Sequence, residues 1–214
     1  MAIRDAAVLR ARPEMNLPNL LSCCRIACGP LFILCFVGPF GWIGKLLALM
    51  LALAIEATDI LDGRIARRRN LVTDLGRFLD PFADSVSRAS VFLAFMAVGI
   101  AEVWMLALIV YRDTMVAYVR IWSMRRGTVQ AARISGKIKA VVQGAAIHVV
   151  CAGALAAALG WRPDLVHRVS WWIVAAVSVI TAASGIEYAV GLKKGAAVGA
   201  KDQQEDREQE EVGS

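Results

Sequence analysis

Residues 42–69 read WIGKLLALMLALAIEATDILDGRIARRR. An apolar run here ends in two aspartates and then in four arginines, Arg64, Arg67, Arg68 and Arg69. A run of this length matches the roughly 20 apolar residues that span a bilayer. Asp59 and Asp62 stand at its far end, where a carboxylate is expensive unless it serves a function. Downstream, Gly76-Arg77-Phe78-Leu79-Asp80-Pro81-Phe82-Ala83-Asp84 adds two more acids before another apolar run. The combined pattern is D-x2-D-G-x2-A-R-x8-G-x3-D-x3-D.

The rest of the chain agrees with a membrane reading. It is 58% hydrophobic over 214 residues, with a mean hydropathy of +0.57. Soluble domains are about 45–50% apolar. Six apolar stretches predict an all-α integral membrane protein of six transmembrane helices. The expected spans are about 17–37, 42–66, 80–100, 103–125, 135–159 and 169–192. Residues 1–16 form a polar interfacial segment, 17–193 one membrane domain, and 194–214 an acidic, disordered tail. Residues 1–16 carry Arg4, Arg10 and Arg12 without an apolar core, so no cleavable signal is expected.

Charge placement sets the orientation. Arg4, Arg10, Arg12, Arg64, Arg67–Arg69, Arg77, Arg125, Arg126, Arg133, Lys137, Lys139, Lys193 and Lys194 fall on one side. The other side has Lys45, Glu102, Arg162 and Arg168. The positive-inside rule puts both termini and the four aspartates in the cytoplasm. The net charge of +6 therefore reads as membrane topology and not as nucleic-acid binding. The five cysteines lie in or beside apolar runs without zinc spacing and read as packing residues. Trp161, Trp171 and Trp172 suit an aromatic belt at the outer interface.

The acids have a chemical logic. Asp59 and Asp62 share a helix face at i, i+3, and Asp80 and Asp84 share one at i, i+4. If the two helices are neighbours, four carboxylates converge and repel one another. Two divalent cations would neutralise them, and oxygen-only donors suit Mg²⁺ or Mn²⁺. Such a pair can clamp a phosphoryl group during in-line displacement. Gly63 and Gly76 permit close approach to backbone, and Ala66 is small. Arg67, eight residues after Asp59, suits a phosphate or pyrophosphate. A single aspartate at a helix end is usually a cap, and Asp80 before Pro81 suits one; the whole pattern in register does not reduce to caps. Gln143 and His148 in an apolar run suggest hydrogen bonds between helices.

This pattern resembles the signature of the CDP-alcohol phosphotransferase family, with every fixed position present. The resemblance implies a six-helix membrane enzyme with two divalent metals at its cytoplasmic end and a homodimeric state. It implies Asp59, Asp62, Asp80 and Asp84 as metal ligands, with Asp84 also the catalytic base. Gly63 and Arg67 match positions that hold the CDP part, Ala66 and Gly76 belong to the same surround, and Thr73 matches a position at the donor phosphates. Pro18-Asn19-Leu20-Leu21-Ser22 resembles a segment that closes over the nucleotide, which brings in Asn19 and Ser22.

Three more segments resemble members whose acceptor is glycerol 3-phosphate. They are 18–25, the set Arg112-Asp113, Arg120, 127–132 and 136–139, and 181–188. The resemblance implies transfer of the phosphatidyl group of CDP-diacylglycerol to that acceptor at the cytoplasmic face of the cell membrane. Arg112, Arg120, Lys137 and Lys139 then become candidates for the acceptor phosphate; otherwise such residues anchor at lipid head groups. Two positions depart from the pattern: Ser85 stands where Lys usually follows the last aspartate, and Ala140 where Thr usually follows the second lysine. Inositol phosphate, another phosphatidyl lipid or an amino alcohol are alternative acceptors. An ion-coupled transporter is the alternative outside enzymes; acids at helix ends beside a basic loop argue against it.

Overall fold

The computed structural model describes residues 17–68, 74–125 and 134–186. Among these residues the chain is all helical, without strands. The helices are α1 (Leu17–Val37), α2 (Gly41–Arg68), α3 (Asp74–Ala97), α4 (Val103–Arg125), α5 (Ile134–Ala158) and α6 (Pro163–Ile186). The N-terminal segment, Thr73 and the acidic tail lie outside the described residues. For Asp62, Gly63, Ala66, Arg67, Arg120, Lys137 and Lys139, only the helical backbone is described.

Three helices, Asn19–Val37, Ala140–Ala158 and Pro163–Ile186, are long and apolar enough to cross a membrane. The hydropathy of α2, α3 and α4 is lowered by their own charged residues, Glu56, Asp59, Asp84, Arg88, Arg112 and Asp113 among them. Large apolar side chains face outward on every helix, including Leu34, Leu47, Leu93, Tyr111, Val141 and Val179. Such a surface suits hydrocarbon better than water.

Two helix starts differ from expectation, each by six residues. Helix α3 begins at Asp74, not near Asp80, so Asp80 is no cap and Pro81 lies inside the helix. Proline withholds one N–H from the helical ladder, a defect that membrane helices tolerate where neighbours satisfy the backbone. Helix α6 begins at Pro163, not near Val169. Proline is preorganised for the first helical position, and Arg162 precedes it with φ 38° and accepts the Val166 N–H at 3.0 Å.

The described turns are tight. At the end of α3, Gly99 takes φ 76°, while Gly99 N and Ile100 N donate to Met96 O and Phe95 O at 3.0 and 2.9 Å. At the end of α5, Gly160 takes φ 92°, with Gly160 N on Ala157 O and Trp161 N on Ala156 O at 2.9 and 3.0 Å. Both are Schellman closures, in which glycine accepts the left-handed position.

Helix α1 packs between α2 and α3. It runs antiparallel to α2, pairing Arg25 with Asp59 near one end and the Phe36 carbonyl with Lys45 near the other. It runs parallel to α3, from Ser22–Asp80 through Gly29–Ser90 to Phe32–Phe95. Phe32, Phe36, Phe92 and Phe95 are buried together, with ring centroids 5.3–6.4 Å apart. Each such pair contributes about 0.5–1.5 kcal/mol beyond area burial. This aromatic core fills the turn end of the bundle. The opposite end carries the aspartates.

Trp42, Trp104 and Trp161 stand at the described turns, and Trp171 and Trp172 meet edge to face beside one of them. Glu102 accepts from Trp104 Nε1 at 2.8 Å and from Trp171 Nε1 at 2.9 Å, so one carboxylate ties two indoles.

Candidate active site

The site is built on α1 as much as on the helices that carry the acids. Asn19, Ser22 and Arg25 lie on one face of α1 at i, i+3 and i+6, and all three are buried. A buried arginine needs a partner. Arg25 Nη1 lies 2.6 Å from Asp59 Oδ1 on α2. Ser22 Oγ donates to Asp80 Oδ1 on α3 at 2.6 Å. Ser87 Oγ, on α3, donates to its own helix at Ala83 O and lies 3.3 Å from Arg25 O. Helix α1 thus joins the two acid-bearing helices through polar side chains.

Asp84 has a separate anchor. Arg88, one turn later on α3, directs Nε and Nη2 to Asp84 Oδ1 at 2.8 and 2.7 Å. Its Nη1 donates to Gln143 Oε1 on α5 at 3.0 Å. Gln143 therefore bonds across helices as expected. His148 instead bonds within α5: its Nδ1 lies 2.7 Å from Gly144 O. A carbonyl only accepts, so Nδ1 carries the proton.

Asp59 and Asp84 open onto one cleft, walled also by Arg25, Glu56, Arg88 and His148. Their side chains are 46% and 36% exposed, while those of Arg25 and Arg88 are 0% and 15% exposed. The carboxylates are the more exposed partners, and the guanidiniums wall the cleft beside them. Glu56 reaches α5 because Gly144 has no side chain: a Cβ there would lie 3.2 Å from Glu56 Oε2.

Formal charges on this wall are three carboxylates, Glu56, Asp59 and Asp84, against two guanidiniums. The described lining is net negative, and its carboxylate oxygens are the donor type that divalent cations take. Among the described residues no three acidic, histidine or cysteine side chains cluster as closely as a metal site requires. Asp80 is turned to Ser22 instead of lining the cleft, and the Asp62 side chain lies outside the described residues.

A family model described as CDP-alcohol phosphatidyltransferase matches residues 15–183. The chain belongs to the CDP-alcohol phosphatidyltransferase family. It is 35% identical over 156 residues to a protein of Pectobacterium atrosepticum, covering 71% of this chain and 80% of the relative. It is 32% identical over 184 residues to one of Rickettsia felis, covering 86% and 98%. With a protein of Bacillus subtilis it shares 34% identity over 139 residues, covering 60% and 72%. All three relatives are named CDP-diacylglycerol–glycerol-3-phosphate 3-phosphatidyltransferase.

In this phosphatidyltransferase the expected donor-side residues fall at one end of the bundle. Asn19 and Ser22 are buried on α1, and Gly76 is buried early in α3. Gly63, Ala66 and Arg67 lie on the last turns of α2. Arg112 is held elsewhere, by Ser184 Oγ on α6 at 3.1 Å and by Asp113 Oδ1 at 3.2 Å. It is not part of the described cleft lining. Arg120 lies on α4, and Lys137 and Lys139 on the first turns of α5.

Sequence reasoning gave no role to Arg25, Glu56 or Arg88, and read Gln143 only as an interhelical hydrogen bond. For the three charged residues the usable signal was charge inside apolar runs: Arg25, Glu56 and Arg88 lie within α1, α2 and α3, where an unpaired charge is costly. Spacing also pointed to Arg88, at i+4 from Asp84.

Proposed function

We propose that the chain transfers the phosphatidyl group of CDP-diacylglycerol to the primary hydroxyl of glycerol 3-phosphate, giving phosphatidylglycerophosphate and CMP. The observation that carries this reading is the relatives' shared name over most of both chains. The cleft shared by Asp59 and Asp84 supports it with a site for phosphoryl chemistry.

In this reading Asp84 is the general base. It takes the proton from the acceptor hydroxyl, and the alkoxide attacks the phosphorus that bears diacylglycerol. Asp59, Asp62, Asp80 and Asp84 would hold two divalent cations, Mg²⁺ or Mn²⁺, which when bound stabilise charge on the transferring phosphoryl group. Asn19, Ser22, Gly63, Ala66, Arg67, Thr73 and Gly76 surround the CDP moiety. Arg112, Arg120, Lys137 and Lys139 supply positive charge for the acceptor phosphate. Arg25 and Ser22 fix the acid-bearing helices in register, so the carboxylates need little reorganisation on binding.

The topology proposed is six membrane spans with both termini and the site on the cytoplasmic side of the cell membrane, in a homodimer. The basic residues near the aspartate end support that orientation. Acyl chains of the donor lie in the lipid, while the soluble acceptor comes from the cytoplasm.

The test is purified protein with CDP-diacylglycerol and one acceptor at a time, following CMP. Glycerol 3-phosphate should release CMP faster than inositol phosphate, a phosphatidyl lipid or an amino alcohol. Faster release with another acceptor would replace glycerol 3-phosphate. Ion flux without CMP release would replace the transferase reading altogether.

A further inference from the structure

Position 85, directly after the proposed base, is a serine, so the nearest cation on α3 is Arg88 one turn on. A guanidinium carries five N–H groups. Its contacts to Asp84 and Gln143 use three, leaving one N–H on Nη1 and one on Nη2 uncommitted among the described residues. Gln143 is fully buried, and its Nε2 amide also has no hydrogen-bond partner among the described residues. A buried amide with nothing to donate to costs about 1–3 kcal/mol. An apolar residue would avoid that cost, so the amide calls for a ligand. The Gln143 side chain presents it beside the Arg88 guanidinium, because the same amide already accepts from Nη1.

Uncommitted N–H donors next to a fixed positive charge complement an oxyanion. The α2 wall is the more negative: Glu56 and Asp59 there repel a phosphate, whereas on α3 the Arg88 guanidinium offsets Asp84. His148 Nε2 is buried without a partner among the described residues. In the neutral tautomer with the proton on Nδ1, Nε2 is an acceptor, suited to a hydroxyl.

We infer that Arg88 and Gln143 form an oxyanion subsite for the phosphomonoester of the acceptor, immediately beside Asp84. The inference rests on the proposed transfer to a phosphorylated acceptor and deepens it. It places the acceptor phosphate between α3 and α5, in addition to the basic residues of α4. Gln143 does not touch Asp84 and reaches it only through Arg88, so a loss of acceptor binding without loss of kcat separates its role from that of the base.

The experiment compares full-length wild-type protein with Gln143→Leu and Arg88→Lys in lipid nanodiscs. Calorimetric titration with glycerol 3-phosphate, without donor, reads the subsite directly; steady-state CMP release reads KM for each substrate. Loss of a hydrogen bond to a charged ligand predicts about 10-fold weaker acceptor binding in Gln143→Leu. Its acceptor KM should rise equally while its donor KM stays at the wild-type value. Arg88→Lys keeps the charge but loses the fork, so both acceptor binding and kcat should fall. Unchanged acceptor binding in Gln143→Leu, or equal loss for donor and acceptor, overturns the subsite. If Gln143→Leu weakens acceptor binding but wild type releases no CMP, the subsite stands and the transfer reading fails.

Discussion

Arg25 and Asp59 face each other across the α1–α2 interface, Nη1 to Oδ1, at 2.6 Å. The arginine side chain is fully buried and the aspartate is nearly half exposed. The pair therefore has one desolvated partner and one that still faces the cleft. Arg25→Leu removes the charge that holds Asp59 and should destabilise the fold by about 2 kcal/mol, the scale of a hydrogen bond between charged groups. For a chain of this size that lowers Tm by roughly 4–8 °C, readable by thermal melting in detergent. A melting curve superimposable on wild type would show that the pair contributes nothing to stability.

Asp84→Asn tests the proposed base. The amide keeps the shape and an oxygen toward Arg88 but does not accept the hydroxyl proton. Turnover should fall by at least about 10²-fold, the lower range for a lost general base. CDP binding, followed by equilibrium titration, should persist. Substantial remaining CMP release would move the base to another residue.

Glycine at position 29 lets α1 approach α3. A Cβ there would lie 2.6 Å from Ser90 Oγ and 3.1 Å from Ser90 Cβ. The hydroxyl can rotate away, but the Cβ cannot. Gly29→Ala should cost about 1–3 kcal/mol through overpacking, seen as a lower Tm. Ser90→Gly in the same chain should restore most of it, a coupling that unrelated substitutions would not show.

The divalent-cation reading predicts that chelation with EDTA abolishes CMP release and that Mg²⁺ or Mn²⁺ restores it. Asp59→Asn and Asp80→Asn should each raise the cation concentration for half-maximal activity. Activity that persists through chelation would remove the cations from the mechanism.

Much of this architecture was readable from the sequence because apolar runs end abruptly at charged or glycine-rich turns. The expected bounds of α1 and α4 coincide with those observed, and those of α5 differ by one residue. The starts of α3 and α6 were missed where proline carried two meanings. Pro81 looked like a first-turn residue but lies inside α3, while Pro163 looked like part of a turn but opens α6. The acids announced themselves by spacing. The arginine partner of Asp59 did not, because its pairing depends on α1 lying against α2, and Arg25 is 34 residues from Asp59 in the chain. No local pattern encodes a contact of that range.

Gly185 on α6 bears on the acceptor side through Arg112. A Cβ at position 185 would lie 2.8 Å from Arg112 Cγ and 3.6 Å from its Cβ. Something must shift, and the flexible arginine stem gives more easily than two packed helices. The shift would strain the Arg112–Ser184 hydrogen bond of 3.1 Å. If Arg112 contacts the acceptor phosphate, Gly185→Ala should raise the KM for glycerol 3-phosphate while the KM for CDP-diacylglycerol holds. Arg112→Ala should do the same more strongly, since it removes the cation. Comparing the two variants with each substrate varied in turn separates this role from a purely structural one. Equal losses for both substrates would mean that Arg112 only fastens α4 to α6.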